Sequence, residues 1–125
     1  MKRQELRIGV IGLGRAGSGM LTALAQHPNV QVTAAADLYP QHLEKFKSEF
    51  GGEAYKNAAD LCSSNLVDAV YIATPHALHV EHFLMAAEAG KHAIVEKPMA
   101  LSMDDCDAMI AASERLGVHL IVGHT

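Results

Sequence analysis

Apolar residues fall in short continuous blocks along this chain, and the stretches between the blocks carry a helical spacing. The blocks at residues 7–12, 31–37, 69–74, 92–96 and 118–123 read as strands, with 53–55 as a short further one. Their apolar character runs on instead of alternating, which predicts parallel strands covered on both faces. Residues 16–27 read as a helix. Leu43, Phe46 and Phe50 fall at i, i+3 and i+7 behind Pro40, which suits a first-turn position. Val80, Phe83, Leu84 and Ala87 form another stripe, closed by Gly90. Leu61 belongs to a short helix near 57–63. Ser102, with Asp105 three residues on, caps a last helix that runs to Leu116 and stops at Gly117. Strands alternating with helices through right-handed crossovers predict an α/β fold, a doubly wound parallel sheet in the order 3-2-1-4-5-6.

Composition narrows the partners. The 125 residues suit one domain, and half of them are apolar, enough for a core. A formal net charge of −4 argues against nucleic acid or an anionic membrane surface as partner, since both want a basic face. No apolar run approaches the roughly 20 residues of a membrane span. Lys2 and Arg3 before an apolar stretch resemble a signal peptide, but that stretch is short, glycine-rich and interrupted by Arg15. Cys62 and Cys106 are too few for a disulfide framework and lack metal-type spacing, so free thiols in a reducing cytoplasm are expected.

The chemistry begins at Gly12-Leu13-Gly14-Arg15-Ala16-Gly17, between the first strand and the first helix. In such a turn the first glycine allows the bend, the second admits a pyrophosphate, and the third packs helix on strand. The helix N-terminus then offers free N–H groups and the positive end of its dipole to the anion. Gly12, Gly14, Arg15, Ala16 and Gly17 are therefore the expected phosphate cradle. Asp37 ends the second strand, 20 residues after Gly17, where a carboxylate meets the adenosine ribose hydroxyls and repels a 2′-phosphate. It is equally placed to cap the following helix, and the two roles are compatible. NAD is the expected cofactor. Arg15 leaves NADP possible.

Two later segments carry the argument further. Thr74, Pro75, His76 and His79 stand at the carboxyl end of the fourth strand, where ligands bind in this fold. Glu96-Lys97-Pro98 ends the fifth, and a charged pair closing a buried strand is costly unless a site uses it. Together these motifs resemble the glucose–fructose oxidoreductase, inositol dehydrogenase and rhizopine-catabolism dehydrogenase family (Gfo/Idh/MocA). That family shows a G-x-G-x-x-G turn, a T-P-x-x-x-H segment and an E-K-P motif in this order. The phrases at 73–76, 96–100 and 122–125 are similar to its phthalate dihydrodiol dehydrogenase branch.

The resemblance implies a Rossmann domain and hydride transfer between NAD(P) and the carbinol carbon of a sugar, polyol or cyclic diol. It places Lys97 as the catalytic residue beside the nicotinamide, with Glu96 and His79 on the cofactor side and the Lys97–Pro98 bond cis. It also implies that residues 1–125 are the dinucleotide-binding domain alone. The hydroxylated small-molecule substrate would then be met by an absent C-terminal domain, and the full-length protein would be a homo-oligomer. The alternative from another class is a stand-alone NAD-sensing module, which would have no use for Lys97.

His76, His79 and His82 recur every third residue, but no carboxylate or cysteine completes an evident metal set, so none is expected. His27, His42, His92 and His119 read as surface or junction residues. Met85, Met99, Met103 and Met109 read as core or interface filling.

Overall fold

A computed structural model describes residues 5–123. The strands are β1 (Leu6–Ile11), β2 (Val30–Ala36), β3 (Glu53–Tyr55), β4 (Ala69–Ile72), β5 (His92–Glu96) and β6 (Leu120–Gly123). They form one parallel sheet in the order β3-β2-β1-β4-β5-β6. The helices are α1 (Arg15–Gln26), α2 (Pro40–Phe50), α3 (Ala58–Cys62), α4 (His79–Glu88) and α5 (Met103–Leu116), with a 3-10 turn, His76–Leu78, leading into α4.

Alternation along the strands sorts the core into two layers. Ile8, Val10, Ala69 and Tyr71 pack with Leu21 of α1 and Phe46 of α2. Val70, Ile72, Ala93 and Val95 pack on the other face with Leu61, Phe83 and Met109 of α3, α4 and α5. Both faces are therefore covered, which is why the strands read as continuous apolar blocks. Gly9 has a packing reason of its own: a Cβ there would lie 2.9 Å from Leu61.

Local chemistry sets the ends of the elements. Pro40 opens α2, and Gly51 at φ +71° closes it. Ser102 accepts from the Asp105 N–H to cap α5, which ends on Gly117 at φ +68°. Two strands are shorter than their apolar blocks. β4 ends at Ile72: the Ala73 N–H gives a last bond to Ile11 O of β1, and Pro75 has no N–H with which to carry the pairing on. β6 starts at Leu120 because Val118 is still tied to Ser113 of α5, through its own N–H and through the Ser113 hydroxyl. His124 and Thr125 lie outside the described residues. Among the described residues no helix is long and apolar enough to cross a membrane.

Candidate dinucleotide site

The carboxyl ends of the central strands open into a cavity of about 1000 Å³, the upper end of the range for ligand pockets. At one end lies the glycine turn. Gly12 adopts φ +96° and donates its N–H to Ala36 O, while its Cα faces Ala73 O so closely that a Cβ would sit 2.9 Å away. Gly14 is the N-cap of α1, with nothing within 4 Å of a Cβ there, and it lines the cavity with Gly12 and Ala16. Gly17 serves from behind, since a Cβ on it would strike Gly12 O at 1.8 Å. Among the described residues no side chain caps α1, and its first turn holds no acidic residue. Asn57 and Ser102, in contrast, cap α3 and α5. The first N–H groups of α1 are thus left without a side-chain cap beside the cavity that Gly14 and Ala16 line.

Arg15 stands apart, in a smaller groove of about 350 Å³ between α1 and α2 with His42, Lys45 and Glu49. Asp37 lines the main cavity with its side chain only 8% exposed. Its Oδ2 accepts from the Leu13 N–H at 2.7 Å and its Oδ1 from the Tyr39 N–H at 2.8 Å. The carboxylate thus ties the glycine turn to the entry of α2 while facing the cavity. His42, read from sequence as a junction residue, brings Nδ1 to 3.1 Å from Asp37 Oδ1 and lines both spaces. The missed signal was its position one turn into the helix behind that aspartate. Leu38 and Tyr39, 81% and 59% exposed, complete this wall.

Thr74, Pro75, His76, Glu96 and Lys97 line the far side. The Thr74 Oγ1 lies 2.9 Å from His82 Nδ1. Burial, helped by the charge of His79 and opposed by that of Glu81, holds His82 below the usual histidine range. Glu96 is a buried carboxylate that accepts from the hydroxyl of Tyr71 on the neighbouring strand. Burial first, and then this bond and the charge of Glu96, raise the Tyr71 phenol well above its ordinary value, so it remains a donor. With Glu96 held by Tyr71, Lys97 is exposed at the cavity edge with no ion-pair or hydrogen-bond partner among the described residues. The Lys97–Pro98 peptide bond is cis. His79 is fully buried and does not line the cavity; its ring sits between two backbone carbonyls. Met109 is core, whereas Met103 is 76% exposed.

Known proteins resemble this chain in sequence and in fold. Residues 6–124 match the GFO_IDH_MocA family, described as "Oxidoreductase family, NAD-binding Rossmann fold". The chain is 45% identical over 121 residues to a 1-carboxy-3-chloro-3,4-dihydroxycyclohexa-1,5-diene dehydrogenase of Comamonas testosteroni, covering 96% of this chain and 30% of that protein. It thus spans about a third of the length of the curated relatives it matches. A scyllo-inositol dehydrogenase from Lactobacillus casei, solved with NAD(H) and scyllo-inositol, superposes with a TM-score of 0.91 at 28% identity, over 96% of this chain and 36% of that one. A 3-ketoreductase from Actinomadura kijaniata, solved with NADP and TDP-benzene, gives 0.91 at 32% identity, over 96% and 37%. A match of this extent, on a sheet of this order with an uncapped glycine turn beside Asp37, makes the chain a member of the Gfo/Idh/MocA oxidoreductase family, in its NAD-binding Rossmann domain.

Proposed function

We propose that this domain holds NAD or NADP for a dehydrogenase acting on a hydroxylated ring, with a cyclic diol or polyol as the substrate class. The observation that carries the reading is one continuous cavity with the uncapped N-terminus of α1 at one end and the unpaired amine of Lys97 at the other. The names of the relatives, a dihydroxycyclohexadiene dehydrogenase and an inositol dehydrogenase, support the substrate class. Their greater length supports a further domain that meets the substrate. Two free cysteines fit a reducing compartment.

In this reading Gly12, Gly14 and Ala16 leave room for the pyrophosphate beside the α1 N–H groups. Asp37 keeps lone pairs for ribose hydroxyls beyond those given to Leu13 and Tyr39. Arg15, His42 and Lys45 in the adjoining groove temper its repulsion of a 2′-phosphate, which supports use of both cofactors. A bound nicotinamide supplies the acceptor or donor of hydride. Thr74, Pro75 and His76 shape the wall that orients it. Lys97, free of any carboxylate clamp among the described residues, would take or give the proton of the substrate hydroxyl at its amine.

The test is a fluorescence titration of this chain with NADH and NADPH, paired with Lys97→Met in the enzyme that carries it. Expected are saturable binding of the dinucleotide, little change of its affinity in the variant, and a loss of turnover of about a thousandfold. Normal turnover by Lys97→Met would remove that residue from the reaction, and no binding of either dinucleotide would end the proposal.

A further inference from the structure

His79 opens α4 and is completely buried, yet it touches neither the cavity nor a carboxylate. Its Nε2 lies 2.9 Å from Thr74 O and its Nδ1 lies 2.9 Å from Pro98 O. These carbonyls belong to two different loops: Thr74 follows β4, and Pro98 follows Lys97 at the end of β5. Both oxygens only accept. A ring with one hydrogen satisfies one of them and turns a lone pair on the other, at a distance where that pairing repels. Both contacts become hydrogen bonds when each ring nitrogen carries a hydrogen.

We propose that His79 is a positioning residue for Lys97, a buried ring donating at both nitrogens that clasps the Thr74 loop to the Lys97–Pro98 loop. The positioning role rests on the functional reading of Lys97 given above; the double donation does not. The arrangement gives a fully buried polar ring at the first position of α4 a partner on each side. Its nitrogens lie on opposite flanks of a rigid plane, so the ring spans acceptors that a single amide nitrogen meets from one side only. A ring with both hydrogens is an imidazolium, whose burial is costly; the two carbonyl dipoles offset that cost through charge-assisted bonds. Thr74 joins the same network from its hydroxyl, which meets His82 at 2.9 Å. The clasp thereby fixes both the wall and the lysine of the far side of the cavity. Among the described residues the Lys97 amine has no partner to hold it there.

Long-range proton–nitrogen NMR of the native chain tests the clasp directly. Two His79 ring N–H signals, both slow to exchange with solvent, are expected; a single ring N–H would overturn it. Hydrogen exchange on His79→Gln and His79→Leu tests what the clasp holds. Residues 97–101 should exchange about tenfold faster while residues 12–17 keep their native protection, and the glutamine variant should recover part of the loss. Native protection of 97–101 in either folded variant would overturn the proposal. In the enzyme carrying this domain, His79→Gln should lower kcat about tenfold and leave the dinucleotide KM within about threefold. A change confined to KM would refute the positioning role. Failure of the native chain to bind both NADH and NADPH would instead refute the functional reading, and the positioning role with it, while two ring signals would still stand.

Discussion

The two glycines that flank the start of α1 do different jobs, and substitution separates them. Gly17→Ala drives a methyl into Gly12 O, 1.8 Å away and part of the backbone, so the turn must break. A loss of about 3 kcal/mol or more in urea unfolding is expected, taking dinucleotide binding with it. Gly14→Ala meets nothing within 4 Å, at a φ of −68° that any residue adopts. Its stability should fall by no more than about 1 kcal/mol, the cost of alanine at an N-cap. NADH affinity should fall by about tenfold, because the new methyl stands where the phosphates would approach. Equal destabilisation by the two would contradict the geometry. Asp37→Ala should weaken NADH, relax selectivity toward NADPH, and cost about 1–3 kcal/mol because the Leu13 and Tyr39 N–H groups lose their acceptor. Unchanged selectivity in paired titrations would leave it only the tying role. These residues were legible because a glycine turn and a strand-end acid declare themselves in sequence by spacing. His42 and Tyr71 did not declare themselves: one is a surface-type residue five positions from its partner, the other a strand residue 25 positions from Glu96. Only pairing across elements shows either.

At the scale of elements, the sheet is held in register on the side away from the cavity as well. Arg7 of β1 meets Asp68, just before β4, through two guanidinium bonds of 3.2 and 2.9 Å and its own backbone N–H. The side-chain bond from Arg7, reinforced by its backbone N–H and charge and by Lys91, holds the Asp68 carboxyl below the ordinary value of 3.8 against the opposing effect of burial. A carboxyl lowered on folding stabilises fully above its ordinary value, and that stabilisation drains away as pH falls through the folded value. The stability gap between native protein and Asp68→Asn should therefore be level above pH 3.8 and narrow below it. The gap will be small, since both side chains are more than a third exposed and water screens them. A gap that widened in acid would refute the pairing. The order of elements was readable because each apolar block is short and each helix carries its own start or stop: Pro40, Ser102, Gly117. The strand ends were not. They depend on where the next N–H groups go: Pro75 has none to offer after β4, and the Val118 N–H is still tied to α5.

The whole molecule places its two thiols in different environments. Cys62 is 2% exposed, and burial pushes its thiol up to about 11 against the modest pull of Lys91. Cys106 is half-buried on α5. Iodoacetamide should therefore label Cys106 in the folded protein and reach Cys62 only on unfolding, as peptide mass spectrometry would report. Equal rates in the native state would mean that the α3 side of the core is open. Six strands running in one direction also give the molecule two unlike rims. The turns that build the cavity all leave one rim, while Arg7, Asp68 and the His92–His119 pair occupy the other. A dye, a polymer or a solid support coupled at position 119 would consequently sit a full strand length from the mouth, so the domain could be anchored to an electrode with its opening toward the solution.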